Sequence, residues 1–253
     1  MIRAAAAAAA AALGLLASTV QAADPESPET HESVQFEAPD GMELYADLYR
    51  GDPDAATVVL LHEHRKQRSD WAPLIPDLVA AGFNILNLDL RGHGESIHKG
   101  DAVLSAVDLP MAMTGTLVRQ SIPDMETALG YLQGRGIQVE RVVLIGAAYG
   151  NVLAVMATVR RPDIRGIVLL SPIERGYGIS TKRTIHEYRG DLLTIVARDD
   201  RIAAGATHVL IAAHPGAEEE IFFDSGGHGT ALLDSKPEIR PRIVEFVKAH
   251  TEK

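Results

Sequence analysis

The chain has 253 residues, 24 Lys and Arg against 34 Asp and Glu, and no cysteine. A formal charge of −10 argues against nucleic acid or an anionic membrane as the main partner, and the absence of thiols excludes disulfides and cysteine chemistry. The hydrophobic fraction of 46% is ample for a core that must stabilise the fold unaided.

Met1-Ile2-Arg3 and the alanine-rich apolar run to Val20 read as a secretory signal, and Val20-Gln21-Ala22 puts small residues where a signal peptidase cuts. The run is short for a transmembrane anchor and is mostly alanine. Cleavage after Ala22 is therefore expected. It defines a signal peptide over 1–22, leaves no membrane span in the mature chain, and sends the protein to the periplasm or outside the cell. The Pro-, Glu- and Ser-rich stretch beyond it reads as a flexible N-terminal arm over 23–32, with a single folded domain over 33–253.

Ser33–Ala38 and Met42–Tyr49 alternate polar and apolar residues across Pro39-Asp40-Gly41, which predicts a hairpin. From Ala56 the pattern changes. Thr57–Leu61, Phe83–Leu90, Val142–Ile145, Ile164–Leu170 and Leu192–Val196 are short continuous apolar runs, as expected of strands covered on both faces. Helical spacing fills the gaps: Trp71–Ala81 behind a Ser69-Asp70 cap signal, Ile122–Leu132, Asn151–Val159, Ala203–Ala213 and Pro237–Ala249. An antiparallel start followed by strand–helix alternation predicts an α/β fold, a mainly parallel sheet with helices on both faces. Trp71, the only tryptophan, is expected to report on the loop after Thr57–Leu61.

Leu144-Ile145-Gly146-Ala147-Ala148-Tyr149-Gly150-Asn151-Val152 has the form of a strand, a sharp corner and a helix. A nucleophile elbow, Gly-x-Ser-x-Gly, uses such a corner to push a serine above the sheet, but here the central residue is Ala148. No serine lies within two residues, so shifting the register recovers nothing. Natural loss of the nucleophile is preferred to replacement by design.

These residues and others resemble the α/β-hydrolase family. Val58 to His64, "VVLLHEH", is similar to the strand and turn that lead to its oxyanion loop. Leu86 to Ser96, "LNLDLRGHGES", resembles its Asp-x-Arg-Gly-x-Gly-x-Ser signature. "LIGAAYGN" matches the elbow, and "GIVLLSP" the strand after it. "LLTIVARDDRIA" resembles the strand bearing the triad acid, and "FFDSGGHGTALL" the last strand and histidine loop. The motifs stand in family order, nucleophile then acid then base. The resemblance implies an α/β-hydrolase fold of about eight strands. The short segment from Ser171 to Leu192 implies no large lid, as in small esterases and dienelactone hydrolases, and Glu63 matches the latter.

By that resemblance His228 is the general base and Asp200 its orienting acid, with the vacant nucleophile position at Ala148. The choice of Asp200 over Asp199 rests on spacing; Asp199 would be solvated or cap the next helix. The backbone N–H groups of His64 and Tyr149 would face an oxyanion, with Glu63 beside them. Tyr149, Ser171 and Ser225 are weighed as substitute nucleophiles and set aside. His62-Glu63-His64 is weighed as a metal site and read instead as a turn brace and oxyanion loop. His93 reads as a turn residue and Arg65-Lys66-Gln67-Arg68 as a solvated loop. No metal or cofactor is expected. The expected partner is a small molecule, bound by a degenerate hydrolase; the competing reading is an ester or lactone hydrolase using activated water or a substitute hydroxyl.

Overall fold

The computed structural model describes residues 31–52 and 54–251. The expected signal peptide and nearly all of the arm lie outside these residues. The predicted hairpin forms as β1 (Glu32–Glu37) and β2 (Glu43–Tyr49), paired antiparallel across a turn in which Gly41 takes φ 84°. The apolar runs become β3 (Thr57–Leu61) and β4 (Asn84–Leu88), followed by a small hairpin, β5 (His98–Lys99) and β6 (Ala102–Val103). Next come β7 (Val142–Ala147) and β8 (Gly166–Leu170), then a second small hairpin, β9 (Arg175–Gly176) and β10 (Ile179–Ser180). β11 (Asp191–Ala197) and β12 (Glu218–Phe223) complete the set.

Eight of these strands form one sheet in the order β1-β2-β4-β3-β7-β8-β11-β12. From β4 to β12 every pairing is parallel, and only β1–β2 and β2–β4 are antiparallel. The apolar runs are continuous because alternate residues enter two different cores. Val142 and Leu144 of β7 pack into one, Val143 and Ile145 into the other.

Helices α2 (Thr114–Gly134), α3 (Tyr149–Arg160), α4 (Thr181–Ile185) and α5 (Arg201–Ala213) cover the first core. Helices α1 (Ile75–Ala80), α6 (Leu232–Ser235) and α7 (Ile239–Thr251) cover the second. The short α4 and α6 were not predicted, and two of the predicted helices depart from expectation by more than two residues. The predicted Trp71–Ala81 helix divides into a 3-10 turn, Arg68–Trp71, capped where Asp70 accepts from the Gln67 N–H at 2.9 Å, and the short α1 with its early proline. α2 begins eight residues earlier than Ile122 and carries Pro123 in its interior. Trp71 is buried in the second core with Leu74 and Leu232, not in the cleft described below.

Candidate active site

The site lies at the carboxyl ends of the parallel strands, where open α/β sheets place their ligand crevices. At the end of β7 the chain turns into α3 through Ala148, which holds φ 45° and ψ −102°. A non-glycine residue in that region is strained and persists only when its surroundings enforce it. The Ala148 N–H donates to Leu170 O at 3.0 Å, and Asn151 Nδ2 donates to Leu170 O at 2.7 Å and Ser171 O at 3.1 Å. Gly146 and Gly150 permit the close approach: a Cβ on Gly150 would stand 2.0 Å from Leu61 O. The chain therefore keeps the serine elbow's shape with a methyl group at its tip.

The loop after β12 brings His228 over the sheet edge, and the loop after β11 brings Asp200 to it. His228 Nδ1 and Asp200 Oδ2 are 2.5 Å apart. The other oxygen of Asp200 accepts from the Ala203 N–H at 3.2 Å, so one carboxylate both orients the imidazole and caps α5. Asp199 is neither the cap nor merely solvated. Its Oδ2 accepts from the Gly226 N–H at 3.3 Å and steadies the histidine loop.

Glu63 closes the far side of His228. Its Oε1 accepts from the Thr230 N–H at 2.8 Å and the Thr230 hydroxyl at 2.9 Å, while Oε2 lies 4.0 Å from His228 Nε2. The imidazole thus stands between two carboxylates. Nothing in the sequence marked Thr230, because a threonine two residues past a histidine carries no signal until the loop folds back on the glutamate.

The substitute nucleophiles fare poorly. Ser171 is buried at φ 50°, and its Oγ accepts from the Gly229 N–H at 2.9 Å, which makes it a strut for the histidine loop. Tyr149 is fully buried, and burial holds its phenol above the ordinary range, so its ring cannot serve as a nucleophile. As the first residue of α3, however, Tyr149 presents an N–H with no intrahelical partner. Ser225 is exposed on the loop after β12.

His62 is consumed by structure. Its Nε2 accepts from the Leu90 N–H at 3.0 Å, so Nδ1 carries the proton that goes to Glu63 O at 2.7 Å. His93 is buried in its turn, with Nδ1 on Arg91 O at 3.0 Å and Nε2 3.3 Å from His64 Nδ1. Burial depresses His62 to about 4 and His93 to about 3. Among the described residues no group of His, Cys, Asp or Glu is placed to hold a metal ion. Arg68 corrects the expectation of a solvated basic loop: its guanidinium contacts Asp47, Asp89 and Glu95.

The Asp-x-Arg-Gly-x-Gly-x-Ser segment is architectural. Asp89 accepts from the Arg68 and Glu95 N–H groups, and Ser96 Oγ donates to Asp89 O at 2.7 Å. Arg91, almost wholly buried, clamps Asp40 and Asp124.

The buried histidines predict acid sensitivity. Unfolded, they bind protons near 6.5; folded, they resist until about 4 and 3, so stability is full above 6.5 and falls as pH drops. Asp124, raised by burial to about 6 against the pull of Arg91, takes up its proton earlier when folded and offsets one histidine. Burial also lowers His64 and His214, so the histidines outweigh Asp124, and stability is expected to fall by on the order of 1 kcal/mol or more per pH unit between 6 and 4. Urea titrations at pH 7, 6, 5 and 4.5 measure it, and a flat profile would contradict the neutral, buried histidines.

An open cleft of about 660 Å³ lies beside His228, lined by Ile173, Arg175, Tyr177, Asp199, Asp200 and Ile202, among others. The fold, the elbow and the His228–Asp200 pair define the α/β-hydrolase class. The family model described as serine aminopeptidase, S33, matches residues 52–198, more than half of the chain, and the chain belongs to that family. The uncharacterised protein YfhR of Salmonella typhi is 30% identical over 161 residues, which cover 56% of this chain and 49% of YfhR. The chain thus spans about half the length of the curated relatives it matches. Among solved structures, the esterase Pf2001 of Pyrococcus furiosus superimposes with a TM-score of 0.68 at 19% identity, over 88% of this chain and 91% of that one. A dienelactone hydrolase from Anabaena variabilis gives 0.65 at 14% identity, over 87% and 96%. At such identities the likeness is one of fold.

Proposed function

We propose that this chain is a hydrolase-family protein that has lost covalent catalysis and binds a small carbonyl-containing molecule in the cleft beside His228. The carrying observation is Ala148: the elbow retains its strained φ of 45°, yet its tip bears no oxygen. Losing the nucleophile from such a triad costs several orders of magnitude, while binding determinants and backbone donors remain.

The intact His228–Asp200 hydrogen bond favours a second reading, a hydrolase in which His228 activates water. Assaying the unaltered protein and His228→Ala on an activated ester separates the two. Binding alone predicts equal, background turnover from both proteins. A rate that disappears with His228 would reverse the proposal.

Export to the periplasm or beyond belongs to the same proposal, supported by Met1 to Ala22. N-terminal sequencing of exported protein is expected to begin at Ala23; exported material that retained Met1 would refute cleavage.

A further inference from the structure

The cleft beside His228 has an unusual balance of charge for a site descended from ester chemistry. An oxyanion-binding site offers N–H donors to developing negative charge. Here Glu63 stands behind the cleft lining with a side chain only 12% exposed, its Oε2 4.0 Å from Nε2 of His228, which does line the cleft. Both bonds from Thr230 fall on Oε1, and among the described residues Oε2 has no hydrogen-bond partner. A carboxylate oxygen so placed repels an anion and attracts a cation.

The neighbouring groups act in the same sense. Tyr177, held at φ 57° in the turn between β9 and β10, lines the cleft, and its ring packs edge-on against Tyr149 at 5.4 Å. Burial and the charge of Glu63 together keep its phenol above the ordinary range, hence neutral. His64, 6.3 Å from the Tyr177 ring, is also kept neutral. Burial and Arg65 lower it, its Nδ1 is directed to His93, and its Nε2 has no partner. Asp199 and Asp200 line the cleft against one cation, Arg175, which is exposed.

Resting on the binding reading above, we infer that the site selects a cationic carbonyl compound, an ammonium group seated by the Glu63 carboxylate and the Tyr177 ring. Aromatic faces beside a carboxylate are suited to a weakly hydrated ammonium ion. The apolar part of such a ligand would pack on Ile173 and Ile202, and the latter is 84% exposed at the cleft rim.

Three ketones of similar size, none hydrolysable, test this by calorimetry or NMR titration: the acetonyltrimethylammonium ion, its neutral isostere 4,4-dimethylpentan-2-one, and levulinate. The cation is expected to bind ~10-fold more tightly than the neutral ketone, and levulinate most weakly. In Glu63→Gln, which can still accept from Thr230, the preference should fall to about twofold. In the unaltered protein, 1 M salt should weaken the cation and leave the neutral ketone unmoved. Equal binding of cation and neutral ketone, a preference for levulinate, or a preference that survives Glu63→Gln overturns the inference and leaves the binding reading standing. Failure of all three ketones to bind overturns both.

Discussion

Ala148→Ser is expected to create His228-dependent hydrolysis of activated esters, ~10³-fold above the unaltered protein, a part of what a complete triad supplies. The backbone needs no change. Ala148 already holds φ 45° and ψ −102°, and its N–H is already fixed on Leu170 O. Serine adds one oxygen at a corner that is 5% exposed. His228, with Nδ1 on Asp200, would then take the hydroxyl proton at Nε2, and the Tyr149 N–H would face the oxyanion. Glu63 is the opposing element: its Oε2, 4.0 Å from the same Nε2, would repel the negative charge that develops on the oxyanion. Ala148→Ser combined with Glu63→Gln should therefore exceed Ala148→Ser alone. Steady-state rates for both, and for Ala148→Ser with His228→Ala, settle it. The gain must vanish with His228; a gain indifferent to His228, or none in a folded double variant, would mean the elbow and the histidine do not converge.

The strands were legible wherever both faces are buried, because Val, Ile and Leu then run without interruption, as in β3, β7, β8 and β11. β12 was not. It is the sheet edge, and Glu218, Glu219 and Glu220 occupy half of it, charges that deter pairing with another chain while erasing the apolar pattern. Only the family resemblance placed a strand there. The His228–Asp200 pair was reached through motif order. The pairing of Glu63 with Thr230 joins residues 167 apart through the closure of one loop, and no local pattern encodes that. Arg68 misled for the same reason: its basic neighbours suggest solvent, while its three carboxylate partners come from β2, the end of β4 and the following turn.

Gly150→Ala should unfold or severely destabilise the protein, by ~4 kcal/mol or more, although helix propensity predicts a gain. Gly150 lies in the first turn of α3, and glycine within a helix ordinarily costs ~1 kcal/mol relative to alanine. Gly130 in α2 and Gly205 in α5 obey that rule: both are exposed, and an added Cβ at either meets no atom within 4 Å. Gly130→Ala and Gly205→Ala should each stabilise by roughly 0.5–1 kcal/mol. At Gly150 the same methyl would lie 2.0 Å from Leu61 O and 2.9 Å from His62 O. Those carbonyls belong to the end of β3 and the turn behind it. They cannot swing aside as a flexible side chain would, because β3 is paired on both edges, with β4 and β7. Relief would require α3 to lift from the sheet, which would break the Asn151 bonds to Leu170 and Ser171 and open the elbow. Urea denaturation of the three variants measures the opposite signs. If Gly150→Ala retained full stability, α3 would not be seated against β3 as closely as the elbow requires, and the strained backbone at Ala148 would have lost the contact that enforces it.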